Sequence, residues 1–600
     1  MVNKILVLIF FAATFLCLVY FSMHGFDVTD EGSYLLSSRH PEDVLLSVSA
    51  YQHLFAPLFK AIGYQMIVWR WFCVAGIGLS GIYLGRETAG LLRKFDPEDN
   101  SFLSPWVCMA FTGLGALLFF SRGGLFTPSY NSLMAMAINI SAAIFIKYFR
   151  LMLEVTFEKR KALLLLLLQG FIIGLSLFVK IPCGLSLLFF WLIIVLFLNP
   201  EKANVFVPFV ALLSGLGLNI LWYFLLIQNY HGWISMFLNA LHTLSLEGHD
   251  PHGLWVMYLN DIKSNFYAIG SKFLPIIALV LGITVLEEIL RPRTQRFLKI
   301  VSYLFVALLL LILIEFILNG YHIGGGNAIF SIFQVYLFWM ALCLSAICVI
   351  SLIRIFKHQE GLFGHQAKTK ALILIGLIAF PFLGTVGTNN PLTVNIMMNL
   401  APWFACFLVI FRCVLKGNAW GRWSMFIVLI ISFFASSQII SASVLSPYRL
   451  NAGILKQNVM VSLGDPVSQV FLDQDTAAFF VKMKSIASSC AFKPGEDILA
   501  FSDMPGIVYA LGGRSAGTSW WYSFPYSGVS SKQCRIYTNY ILQLIPIDRV
   551  QKAYILEKVS KLTVRPDLKN RGVDFPQGYY FCGEARWPLD HEVIQLWKPK

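Results

Sequence analysis

Three carboxylates, Asp27, Asp30 and Glu31, fall within five residues in the stretch Phe26-Asp27-Val28-Thr29-Asp30-Glu31-Gly32-Ser33-Tyr34. They follow directly on Ile5–Phe21, an apolar run without a charge. Carboxylates at the end of a membrane segment serve as a general base, hold a cation, or simply cap a solvated helix end. One acid there reads as a helix end. Three, followed by Gly-Ser-Tyr, point to chemistry. Successive acids aim in different directions, so one can face a cavity while its neighbour is held by a cation. The residues alone leave open which of the three faces the cavity.

Cations elsewhere would complement them. Lys180 stands between two apolar runs in Phe178-Val179-Lys180-Ile181-Pro182. An ionisable group at membrane depth is a functional candidate, weighed against a lysine that snorkels from a helix end. Arg122 lies in Ser121-Arg122-Gly123-Gly124, where small residues let a phosphate come close. Arg70, Lys60 and His53 are further candidates on the same side. His249, Asp250 and His252 have metal-ligand types but match no standard spacing, and four histidines in one wet loop read better as surface. Glu315, inside an apolar run, reads better as a contact between helices than as a sugar or cation ligand. Gly512-Gly513-Arg514 and Trp520-Trp521-Tyr522 read as core of the polar tail rather than as a sugar platform.

These residues need a scaffold, and the composition says which kind. Of the 600 residues, 57% are hydrophobic and only 13% charged, against about 25% charged in soluble domains. The chain is an integral membrane protein for most of its length. The first apolar run lacks a small-residue cleavage site and reads as a retained helix. About twenty apolar residues cross a bilayer, which predicts about thirteen spans, near 4–23, 65–85, 105–121, 128–147, 162–179, 182–198, 204–226, 272–289, 300–318, 329–353, 371–388, 401–415 and 424–442. With the N-terminus inside, the inner loops hold about three times as many Lys and Arg as the outer loops that precede the tail. The net charge of +14 is therefore a topology signal rather than a nucleic-acid footprint. The odd count puts the acids, a first outer loop at 24–64, a second at 227–271 and the tail on one side. Residues 50–60 of the first loop form an amphipathic stretch suited to the interface plane.

Residues 1–445 are thus predicted as the membrane domain and 446–600 as a small α/β domain outside. Helices are expected at 473–489, 505–511, 537–544 and 549–559, and strands at 497–501, 579–581 and 593–597. Cys490, Cys534 and Cys582 of the tail would face an oxidising compartment, with room for one disulfide of undetermined pairing.

The Asp30-Glu31 pair just after the first span, the interfacial helix of the first outer loop and the outer C-terminal domain resemble the GT-C class of glycosyltransferases. Among these, the bacterial aminoarabinose transferases and protein O-mannosyltransferases are most similar. Three further stretches fit that family: Thr127-Pro128-Ser129-Tyr130-Asn131, the Lys180 break, and Gly384-Thr385-Val386-Gly387-Thr388-Asn389-Asn390. His53 heads His53-Leu54-Phe55-Ala56-Pro57, where the aminoarabinose transferases carry a lysine before two prolines. The resemblance implies a GT-C fold and transfer of a sugar, with inversion, from a polyprenyl-phosphate donor to a glycan, lipid or protein acceptor. It places the reaction on the periplasmic face of a bacterial inner membrane. Asp30 then corresponds to the catalytic base, with Glu31 in support and Asp27 as the alternative. Lys180, Arg122, Arg70, His53 and Lys60 are the donor-phosphate contacts, and Tyr34, Tyr130, Asn131, Asn389 and Asn390 line the substrate pocket. No cofactor is required by this reading, and a divalent metal is left open. The rival readings are a transporter or lipid flippase, for which no matching repeat halves appear, and a non-enzymatic envelope assembly scaffold.

Overall fold

The computed structural model describes residues 2–95, 104–154, 158–198, 205–244, 251–290, 295–325, 328–357, 366–388, 390–416, 418–522, 530–560 and 563–600. Long uncharged runs fold as helices because a helix pairs its own backbone groups, the requirement for crossing hydrocarbon. The membrane part contains α1 (Val2–Phe21), α4 (Met66–Phe95), α5 (Pro105–Leu117), α6 (Tyr130–Met152), α7 (Lys159–Val179), α8 (Ile181–Leu198), α9 (Phe206–Leu226), α11 (Pro251–Leu290), α12 (Gln295–Leu318), α13 (Ile329–Phe356), α14 (Ala367–Leu383), α15 (Leu392–Ile396), α16 (Ala401–Val409), α17 (Ala419–Arg422) and α18 (Ser424–Leu445). Two helices of the first loop, α2 (Asp30–Arg39) and α3 (Tyr51–Ala61), and α10 (Tyr230–Leu244) complete this part.

Among the described residues, ten helices are long and apolar enough to cross a bilayer, or eleven if the pair Leu392–Asn399 and Ala401–Val414, bent by 65°, is one span. The other spans expected from sequence fall on shorter helices: α8, and α14 with Pro381 inside it. The end of the bundle with the basic loops is fastened by ion pairs between helices. Glu87 meets Arg150, Glu288 meets Arg354 and Glu287 meets Arg422, each carboxylate 2–3% exposed.

The opposite end carries the polar body. The expected loop at 227–271 is instead mostly helical. α10 buries Met236, Ala240 and Thr243 and stacks Trp233 on Phe237 at 5.3 Å, and α11 starts at Pro251. The stretch that read as a wet loop is an amphipathic helix whose apolar face packs on the first loop, the tail and the end of α7.

The tail forms a hairpin, β1 (Val459–Leu463) with β2 (Ser468–Leu472), and a four-stranded sheet. In that sheet β3 (Ile498–Phe501) runs parallel to β4 (Tyr554–Val559), and β5 (Tyr579–Arg586) and β6 (Val593–Pro599) give the order β3-β4-β6-β5. Helices α19 (Gln474–Ser489), α20 (Pro505–Leu511), α21 (Ser531–Leu544) and α22 (Ile547–Lys552) pack around it. Asp473 caps α19 by accepting from Thr476 N. The helix expected at 549–559 stops at Lys552, because Tyr554–Leu556 are buried on both faces as an inner strand. Cys490 and Cys582 form the disulfide, joining the end of α19 to β5, and Cys534 is a buried free thiol.

The first loop and the tail share one body. Phe26, Val28, Tyr34 and Leu35 pack in the same core as Leu463, Phe480, Tyr509 and Leu596. Met23 and Gly25 exchange backbone hydrogen bonds with Phe471 at the hairpin edge. Asp43, 2% exposed, accepts from both Arg514 and Arg549. α2 crosses α20 at two glycines, so close that a Cβ on Gly32 would lie 2.2 Å from Gly506 N. Gly32→Ala should therefore cost about 1–3 kcal/mol, read as a lower melting temperature of the detergent-solubilised protein. Gly270→Ala, where nothing lies within 4 Å, should leave the melting temperature unchanged or higher.

Candidate functional site

The chain leaves α1 through Gly25, at φ +73°, and re-enters a helix at Asp30. Asp27 makes that helix start. Its Oδ1 accepts from Thr29 N at 3.0 Å and Thr29 Oγ1 at 2.6 Å, and its Oδ2 accepts from Glu31 N at 3.2 Å. Acids in a first helical turn also complement the helix dipole. Asp27 is 4% exposed. Burial, then the charge of Asp30, pushes its carboxyl up to about 7.

Glu31 points into the protein. Arg70 of α4 donates to it twice, Nε to Oε1 at 2.8 Å and Nη2 to Oε2 at 2.7 Å, and Thr127 Oγ1 also donates to Oε1. The same guanidinium reaches Ser22 O at 2.7 Å and Gly25 O at 2.8 Å. Both side chains are almost wholly buried, 2% and 4% exposed. Four of the five N–H groups of Arg70 are already bonded within the protein, and both oxygens of Glu31 are filled, with Asp27 N the fourth donor to it. The geometry gives both the role of holding the α1 exit, α2, α4 and the start of α6 together.

Asp30 is the accessible acid of the three. Its side chain is 29% exposed. Oδ2 accepts from Tyr448 Oη at 2.7 Å and lies 3.4 Å from Arg449 Nη1. Arg449 also donates to Thr29 Oγ1 at 2.5 Å. Around Asp30 stand Tyr34, Tyr51, Tyr130 and Tyr448. The first three pack ring on ring, with centroids 5.6–6.1 Å apart, and the Asp30 charge acts on all four. Burial holds the Tyr34, Tyr51 and Tyr448 hydroxyls above their ordinary range, so they remain neutral donors.

Two predicted cations border this ring. Lys180, half-buried in extended backbone between α7 and α8, places Nζ 6.0 Å from the Tyr130 ring centroid. Ala50 N and Ser49 Oγ of the first loop bond to Phe178 O and Val179 O, which fixes the chain just before it. Among the described residues no carboxylate pairs with Lys180. Arg122 lays its guanidinium 4.9 Å from the Tyr448 ring centroid, and its buried Nε has no hydrogen-bond partner. Ser129 caps α6 in a reciprocal box with Ser132, presenting Tyr130 and, beside it, Asn131. Thr127 of the same motif holds Glu31.

Other predicted residues lie elsewhere. His53 has a buried, unpartnered Nε2, and burial pushes its imidazole down to about 4; it brings no positive charge to a phosphate near neutral pH. Lys60 is exposed at the end of α3. Asn390 is exposed beyond Thr388, in the turn that packs on the α7–α8 break through Gly387 and Pro182. Asn389, His249 and Asp250 lie outside the described residues, and His252 is exposed in the first turn of α11. Glu315 is bonded by Asn319 one turn on. His40, Glu42 and Asp43 have ligand atoms within 4.8 Å of one another. Arg514 and Arg549 already hold those two acids, so their charge is matched without an ion.

Tyr448 and Arg449 were not foreseen. A signal was present: an arginine four residues past the last span, on the side where the loops are otherwise poor in cations.

The sequence matches no family model and no curated protein. Solved structures that align with the chain include the following three. One is the Archaeoglobus fulgidus oligosaccharyltransferase in complex with Zn and sulfate, at 11% identity over 92% of this chain and 68% of that one, TM-score 0.43. The others are ArnT from Cupriavidus metallidurans in the apo state and bound to undecaprenyl phosphate, each at 12% identity over 98% of this chain and 97% of that one, TM-scores 0.40 and 0.36. At TM-scores this low the likeness carries no argument about the reaction; the placement of the side chains does.

Removing one partner of a buried ion pair leaves the other charge stranded, at a cost of about 3–5 kcal/mol. Arg70→Ala should therefore lower the melting temperature sharply, whereas Arg70→Met with Glu31→Leu should recover much of the loss. Equal melting of the single and double variants would contradict the pairing role.

Proposed function

We propose that the chain is a membrane glycosyltransferase that moves a sugar from a polyprenyl-phosphate donor to an acceptor hydroxyl on the periplasmic side of a bacterial inner membrane. The observation that carries the reading is one accessible carboxylate, Asp30, set among four tyrosines and bordered by the cations Lys180 and Arg122 at the polar end of an apolar helix bundle.

The chemistry follows from those groups. Asp30 takes the proton of the acceptor hydroxyl as its oxygen attacks the anomeric carbon. The bond from that carbon to the phosphate oxygen breaks, and its electron pair leaves with the polyprenyl phosphate. Attack opposite the leaving group inverts the centre. A phosphate leaving group needs no strong acid, but it does need fixed positive charge as the bond breaks, which Lys180 and Arg122 supply. Tyr34, Tyr51 and Tyr130 give the sugar aromatic faces and hydroxyls. Glu31 and Arg70 hold the frame, and Asp27 shapes the turn. Residues 446–600 complete the site as an outer domain, and their disulfide fits an oxidising compartment. An apolar cavity of about 160 Å³ between α11, α13, α14 and α16, lined by Phe266, Phe333, Leu337, Phe382 and Trp403, offers room for part of a lipid chain.

General-base removal typically costs about 10²–10⁴-fold. With purified protein, a panel of polyprenyl-phosphate sugars and periplasmic-face acceptors, Asp30→Asn should lose at least a hundredfold of the transfer rate while melting like the wild type. Lys180→Ala should lose about tenfold or more. An Asp30→Asn variant with wild-type transfer would overturn the assignment.

A further inference from the structure

The segment just after the last span brings a second arginine to the site. Tyr448 N donates to Gly123 O at 2.9 Å. Gly123 sits at φ +118°, where a Cβ would lie 2.6 Å from Tyr448 N and 2.7 Å from Ser446 O. The Ser121–Gly124 turn and residues 446–448 are thus locked face to face. The lock stacks two guanidiniums on one ring, Arg122 at 4.9 Å and Arg449 at 4.8 Å from the Tyr448 centroid.

The charges around this ring do not balance. Glu31 is spent on Arg70, and Asp27 is buried with its oxygens bonded. Asp30 is left facing Arg449, and Arg122 has no carboxylate among the described residues and a buried Nε without a partner. A buried N–H without a partner is costly, and two guanidiniums against one ring bring more positive charge than the one accessible carboxylate beside them. A phosphate fits because a planar guanidinium fork binds its oxygens in pairs.

We propose that Arg122 and Arg449, stacked on Tyr448, form the clamp for the donor phosphate, and that phosphate binding draws Arg449 away from Asp30. The inference rests on the donor being a polyprenyl phosphate. It adds an order of events. Before the donor arrives, Asp30 is held by Tyr448 and Arg449. Once the phosphate competes for Arg449, the Asp30 carboxylate loses its counter-charge and is free to receive the acceptor proton. The acceptor is activated only over a loaded donor.

The test is a binding measurement on the full chain in nanodiscs, with undecaprenyl phosphate and the uncharged undecaprenol as probes. The wild type should hold the phosphate lipid more tightly than the alcohol. Arg449→Ala, and Arg449→Gln, which keeps the length of the side chain, should each weaken undecaprenyl phosphate about tenfold or more without changing undecaprenol. Because Asp30 competes with the phosphate for Arg449, Asp30→Asn should bind undecaprenyl phosphate about two- to fivefold tighter, and that gain should vanish when Arg449→Ala is added. If Arg122→Ala or Lys180→Ala loses the phosphate lipid while Arg449→Ala and Arg449→Gln bind like the wild type, the clamp is refuted and the glycosyltransferase reading stands. An Asp30→Asn gain that persists without Arg449 refutes the competition. If the wild type holds undecaprenyl phosphate no more tightly than undecaprenol, the inference falls together with the reading it rests on.

Discussion

The Glu31–Arg70 ion pair is the constraint on which the rest of the site depends. Two charges buried this completely carry a large desolvation penalty, offset here by further bonds from the guanidinium to Ser22 O and Gly25 O and from Thr127 to the carboxylate. Because those partners come from the α1 exit, α4 and the start of α6, the pair can close only when the three are in place. Its closure sets the direction of the neighbouring side chain. Successive residues on a helix are turned by about 100°, so with Glu31 aimed inwards, Asp30 is turned to the open side, where Tyr448 and Arg449 meet it.

The second constraint is the fusion of the first loop with the tail. Their common core, the glycine crossing of α2 on α20 and the two arginines on Asp43 make one body of segments more than four hundred residues apart. α10 joins it as well: Asn239 donates to Leu45 O and accepts from Tyr540 Oη. Asp30 and Lys180 both act on Tyr130, at the start of α6, where this body meets the helix bundle. The tail thereby does more than cover the site. It supplies part of the packing that holds α2, and its first residues supply Tyr448 and Arg449.

Much of this was legible in the sequence, for identifiable reasons. Uncharged runs of span length leave a chain few alternatives, and the acids at the end of the first run stood out against so little charge. The α19 start at Asp473 and the strand at 498–501 follow local signals, a capping side chain and a short apolar run. What stayed hidden depends on contacts far along the chain. The β1–β2 hairpin pairs with Met23 and Gly25, which no local pattern reveals. Tyr554–Leu556 looks helical after α22 until β3 and β6 flank it. The roles of Asp27, Asp30 and Glu31 are set by Thr29, Tyr448 and Arg70, and only the last of these was a candidate beforehand, as a phosphate contact. Cys490 and Cys582 pair because α19 lies against β5, a relation invisible in their spacing.

The central claim is that Asp30 faces a phosphate-binding cluster of cations at the outer end of the bundle. It is tested most directly by an electron cryomicroscopy structure of the full chain in nanodiscs with undecaprenyl phosphate. The account predicts phosphate density beside the Tyr448 ring, within hydrogen-bond distance of Arg122 and Arg449, with the Lys180 ammonium directed at it and the Asp30 carboxylate released from Arg449. Phosphate density away from these residues, with Arg449 still on Asp30, would contradict it.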